Sequence, residues 1–167
     1  MNGQRLLACV ILSSLLLITA CGDGGGSTGT LPTKSVVKLL TAGTLPAGTL
    51  IGGIDITVSL PSGVTVASTA NPPETDAGVA VASGEATSNS TILATYVPPS
   101  GTTPAKARLL IANTSGFVVG EFVTVNGDIT AGNTPQAADF FVTSFTVSDL
   151  NGSPISGLTV GCTVNNQ

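Results

Sequence analysis

From Lys34 onward the chain is cut into short apolar runs by Gly, Pro, Asn and Asp. That segmentation admits strands and turns and leaves little room for helices. The clearest run is Ile54–Leu60. Ile54, Ile56, Val58 and Leu60 alternate with Asp55, Thr57 and Ser59. Apolar residues at period two mark a half-buried antiparallel strand. Composition agrees, because a chain rich in Thr, Val, Ile and Gly with few Lys and Glu suits strands. With 42% apolar and only 8% charged residues, it can bury a core and has too little charge to expand.

The other runs fall into order around this strand. Lys34–Leu40 comes first, followed by a turn-rich connection over residues 42–48. Pro61-Ser62-Gly63 turns the chain into Val64–Ala67. Residues 71–76 form a loop with two prolines, which excludes them from a central ladder. Val79–Ala82, Thr91–Val97 and Lys106–Ala112 follow, and Asn113–Gly116 reads as a turn. Glu121–Ile129 places Val123, Val125 and Ile129 on one face. Gly127 shares that register and marks a bulge or a close approach. Residues 130–139 form a polar loop. In Phe140–Ser148, Phe141, Phe145 and Val147 share a face. After a turn at 149–152, Leu158–Val164 closes the domain, and residues 165–167 form a polar end. The expected fold is all-β: a sandwich of about nine strands over residues 34–164, of jelly-roll or Greek-key type.

Residues 1–20 have the anatomy of a signal peptide. Arg5 is the positive side chain, and the apolar stretch from Leu6 to Thr19 is shorter than the roughly 20 residues a membrane span needs. Leu15-Leu16-Leu17-Ile18-Thr19-Ala20-Cys21 resembles the lipobox of bacterial lipoproteins. The resemblance implies cleavage between Ala20 and Cys21, a diacylglyceryl thioether on the Cys21 thiol and a further acyl chain on its amine. Several chains on one residue anchor firmly, since each buried methylene contributes about 0.8 kcal/mol. Gly22 occupies the position where Asp retains such proteins at the inner membrane. The implied place is the cell envelope, at the outer membrane if the host is diderm. Residues 21–33 then serve as lipid site and tether, and the Gly-rich part spans roughly 18 Å r.m.s..

The domain beyond the tether resembles cohesin modules, relatives of the family 2 and 3 carbohydrate-binding modules. The resemblance rests on Leu45–Leu60 with its Gly-led alternating strand, on Pro61-Ser62-Gly63-Val64, on Ala107–Ala112, on Gly120–Val125 and on the Asp149–Gly152 turn. It covers most of residues 34–164. It implies a jelly roll that binds a dockerin-type protein or a polysaccharide. Carbohydrate modules stack sugars on rows of Trp or Tyr, and this chain has no Trp and one Tyr.

The titratable residues limit the chemistry. There is no histidine, so Ser-His or Cys-His pairs and His-containing zinc sites are excluded. The chain is not expected to be an enzyme. Loss of Arg5 leaves four basic groups against nine acidic ones, a net −5 without a basic cluster, which argues against nucleic acid. Of three cysteines, Cys9 leaves with the signal peptide and Cys21 is acylated. Cys162 is then alone, in register with Leu158, Val160 and Val164 as a small core side chain. No cofactor is required. The oxygen donors that would serve a structural calcium ion are Glu74 with Asp76, or Asn126 with Asp128. The candidate ligand contacts are Tyr96 at a strand end and the pair Lys106 and Arg108. The bland reading of Tyr96 puts it at the core rim with its hydroxyl in water. That of the two cations is a solvent face that blunts a sheet edge.

Overall fold

The computed structural model describes residues 30–69 and 74–167. Cys9, Ala20, Cys21 and most of the tether lie outside the described residues, as do Asn71, Pro72 and Pro73 of the proline loop. Among the described residues there are nine strands: β1 Lys34–Ala42, β2 Ile51–Ser59, β3 Val64–Thr65, β4 Ala80–Ala82, β5 Ser90–Val97, β6 Lys106–Phe117, β7 Glu121–Ile129, β8 Phe141–Asp149 and β9 Thr159–Asn166. Two short 3-10 turns, Gly84–Ala86 and Ala137–Asp139, complete the elements. The all-β reading therefore holds.

The strands form two antiparallel sheets. One runs β3-β7-β1-β9, with β4 also on β7, and the other runs β5-β6-β2-β8. Only β3–β4 and β5–β6 are joined within a sheet. Every other connection crosses between sheets, as in a wound sandwich. The alternation read from Ile54–Leu60 is seen in the burial. Ile54, Ile56, Val58 and Leu60 face the partner sheet, where Val37, Leu39, Val123 and Val125 meet them. Thr41, buried on β1, is satisfied: its Oγ1 donates to the Gly120 carbonyl and accepts from the Gly120 N–H, whereas the buried Ser35 hydroxyl on the same strand has no partner.

Several boundaries differ from the sequence reading, each for a local reason. Asn113–Gly116 is not a turn, because β6 continues to Phe117. Asn113 is buried, and its amide donates to Ser88 O and Ser90 Oγ, so a loop satisfies it inside a strand. Residues 165 and 166 belong to β9. Gln167 accepts from the Thr33 and Lys34 N–H groups and donates to the Lys34 carbonyl.

Phe141 does not share a face with Phe145 and Val147. Opposite Thr57 and Val58 the register of β8 shifts by one residue, so Phe141 turns outward and is 64% exposed. A second bulge lies in β7, where Leu39 pairs with Val123 and Leu40 with Glu121. Phe122 is the extra residue, and both it and Val123 are fully buried. Gly127 is a close approach: a Cβ there would sit 3.1 Å from the Thr65 carbonyl oxygen.

The register also fixes the two poles. Val64 pairs with Ile129, Thr130 donates to Gly63 O, and Ile129 donates to Thr33 O. The chain entry at Thr33 therefore shares a pole with the 61–63 turn, the end of β2 and the start of β6. The opposite pole carries the start of β2, the end of β8 and the 149–158 segment.

Candidate functional site

Sheet registers place the outward side chains of the four-stranded sheet in four rows. From the far pole towards the entry pole they are Thr91–Ala112–Gly53–Ser148, Leu93–Leu110–Asp55–Thr146, Thr95–Arg108–Thr57–Ser144 and Val97–Lys106–Ser59–Phe141. The first two rows form a shallow open trough of about 550 Å³. Gly53 is its floor, Leu93, Leu110 and Ala112 give an apolar side, Thr146 and Ser148 a polar one, and Gly152 and Pro154 close an end. A second hollow continues over Gly52, Asn113, Asp149 and Leu150 towards the far pole.

The double glycine builds this floor. Gly52 sits at a register shift in both of its ladders. A Cβ on Gly52 would lie 2.6 Å from the Asp149 carbonyl oxygen and 2.7 Å from Leu150 Cα, so only glycine lets that segment close over the strand. Asp149 holds the turn, its Oδ1 accepting from the Asn151 and Ser153 N–H groups at 2.9 and 2.8 Å. The Ile155 N–H then bonds the Val147 carbonyl and fastens the wall to the sheet edge.

Arg108 borders the trough. Its Nε and Nη2 donate to Asp55 Oδ1 and Oδ2 at 3.0 and 2.7 Å, a two-pronged pair across neighbouring strands. The Arg108 hydrogen bond holds the Asp55 carboxyl below its ordinary range, against a smaller opposing effect of partial burial. β6 lies between β5 and β2, so Arg108 and Lys106 stand on an interior strand and guard no edge. Lys106 has no carboxylate partner among the described residues, whereas Lys34, Lys38 and Arg108 pair with Asp128, Glu121 and Asp55.

Tyr96 is not a surface contact. It points into the core, 5% exposed, and its hydroxyl has no hydrogen-bond partner. That also overturns the picture of a hydroxyl in water, and burial raises its pKa. Cys162 packs at the core margin with Sγ 3.2 Å from the Ala137 carbonyl oxygen, and burial raises its thiol pKa as well. Such a thiol is held away from the reactive thiolate form. The two candidate calcium-ligand sets do not converge. Asp128 pairs with Lys34, the Asn126 amide donates to Gly78 O, and Glu74 and Asp76 sit beside the Gly78 turn. Among the described residues, no three His, Cys, Asp or Glu side chains gather as metal ligands.

Sequence reasoning missed Gly53, Leu93, Leu110 and Ala112. Leu93 and Leu110 carried a signal, each being apolar at the outward phase of its strand. Their meeting depends on pairings far apart in sequence.

No family model matches the chain, and no curated protein matches it. Among solved structures it is similar to a non-cellulosomal cohesin from the hyperthermophilic archaeon Archaeoglobus fulgidus. The identity is 15%, the TM-score is 0.46, and the match covers 75% of each chain.

Proposed function

We propose that this chain is a non-catalytic protein-binding module, held at the cell envelope by a lipid on Cys21. The trough on the outer face of the four-stranded sheet receives the ligand. One observation carries the reading: a glycine floor beside exposed Leu93 and half-buried Leu110, edged by Thr146, Ser148 and the Arg108–Asp55 pair. Apolar surface of this kind, rimmed by polar groups and a two-pronged ion pair, suits a protein partner. A dockerin-type module is the partner that the sequence resemblance implies. Sugar stacking is not favoured, because among the described residues Phe141 is the one aromatic side chain outward on this face, and it lies at the end away from the trough. The absence of histidine and the raised thiol pKa of Cys162 support a non-catalytic role.

Binding of the domain from Thr33 onward to dockerin-type modules and to a polysaccharide panel tests this. We expect protein binding that Leu93→Glu or Ala112→Glu weakens at least about tenfold. Polysaccharide binding untouched by these changes would overturn the reading. Binding to neither panel would favour a structural subunit or spacer. For the anchor, Cys21→Ser should abolish fatty-acid labelling, and persistent labelling would rule the lipid site out.

A further inference from the structure

The entry pole carries a second exposed set. Val97, Lys106, Ser59 and Phe141 form one cross-strand row there. Val97 and Phe141, at its ends, are 55% and 64% exposed. Three strand spacings separate them, about 14 Å. Between them Ser59 is buried although it stands on the outer face, and Lys106 is the one cation without a carboxylate partner among the described residues. Leu31, 60% exposed, lies three residues before β1, whose start is at the same pole on the other sheet, and packed sheets lie about 10 Å apart.

We infer that this pole is a bilayer-contacting surface, with Phe141, Val97 and Leu31 in the interfacial region and Lys106 at the headgroups. The inference rests on the lipid anchor proposed above. Nine peptide steps join Cys21 to Thr30, which reach at most about 32 Å when fully extended. The nine-residue strands are themselves about 30 Å tall. The tether therefore delivers the entry pole to the membrane and leaves the trough at the far pole facing away. An amphipathic lip of apolar side chains around a free lysine is what an interface containing anionic lipid accepts.

The chain has no tryptophan, so single-Trp variants report position cleanly. Phe141→Trp and Val118→Trp, the latter at the far pole, are made in the full chain expressed in a bacterial host. Each is reconstituted in vesicles of phosphatidylethanolamine and phosphatidylglycerol containing spin-labelled lipid, and the mass of the N-terminal peptide records acylation. In acylated, vesicle-bound protein we expect blue-shifted, quenched emission from the Phe141→Trp variant and unquenched emission from the Val118→Trp variant. Quenching of neither, of both, or of the Val118→Trp variant alone would overturn the inference and leave the anchor standing. A chain without acyl groups would overturn the anchor and the inference that depends on it. Lys106→Glu should reduce the quenching in the Phe141→Trp background, and an unchanged signal would remove Lys106 from the contact.

Discussion

The two sheets of this sandwich share a core and present different outer surfaces. Outside the five-stranded sheet, β1 and β7 carry Lys34–Asp128 and Lys38–Glu121, two ion pairs along adjacent strands. Thr124 Oγ1 donates to Ser83 Oγ beside them, so polar groups there are tied to one another. Outside the four-stranded sheet there is one pair, Arg108–Asp55, and next to it the glycine-floored trough. The difference separates a face whose charged groups pair along adjacent strands from a face that adds a glycine-floored trough with an apolar side.

Changes to the inner faces should not distinguish the sheets. Ile56→Ala and Leu39→Ala each truncate a fully buried side chain, one per sheet. Each should destabilise the domain by about 2–5 kcal/mol in a denaturant titration. A cost confined to one of them would show that the sheets do not share a single cooperative core.

Glycine changes come next. Gly52→Ala pushes a Cβ against backbone atoms of Asp149 and Leu150 and should cost about 1–3 kcal/mol. Gly53→Ala meets chiefly the Ser148 hydroxyl, which can rotate, so its effect should appear in ligand affinity more than in melting temperature. If both lower stability equally, Gly53 serves the ladder and not the trough.

A smaller effect tests the core beneath β5. Tyr96→Phe deletes a buried hydroxyl that has no partner. Stability should be unchanged or rise by up to about 1 kcal/mol. A clear loss would mean that the hydroxyl is satisfied in solution.

The smallest effect is in acid. Arg108 holds the Asp55 carboxyl low, while Ser83 first and then Lys38 hold Glu121 low. A folded-state pKa below the unfolded one gives stability that is present above about pH 4 and is lost as pH falls through the folded value. Asp55→Asn and Glu121→Gln should each slightly flatten the acid limb of a stability–pH curve, since both pairs are largely solvated. Only Asp55→Asn should also change ligand binding, because only Asp55 borders the trough.

Much of the fold was legible where local pattern and burial coincide. The alternation of Ile54–Leu60 and the phase of Cys162 with Val160 and Val164 both survive in three dimensions. Where a bulge intervenes, period two misleads. Phe141 turns outward, and Phe122 joins Val123 inside, because one extra residue resets the phase. Asn113 read as a turn residue, since nothing local announces that Ser88 and Ser90 will satisfy its amide. Tyr96 looked like a contact because its burial is set by the opposite sheet. The trough was the least legible part. Gly53 meets Ala112 and Ser148 only through pairings spanning some sixty and ninety-five residues.

The bonds joining Thr33 and Lys34 to Gln167 have a mechanical consequence. With the anchor and the ligand placed as proposed, a pull between them would load β1 along its own axis. β1 is flanked by β7 on one side and β9 on the other. The ladder bonds on both sides lie across the line of pull and share the force together, so β1 resists in shear where an edge strand would unzip bond by bond.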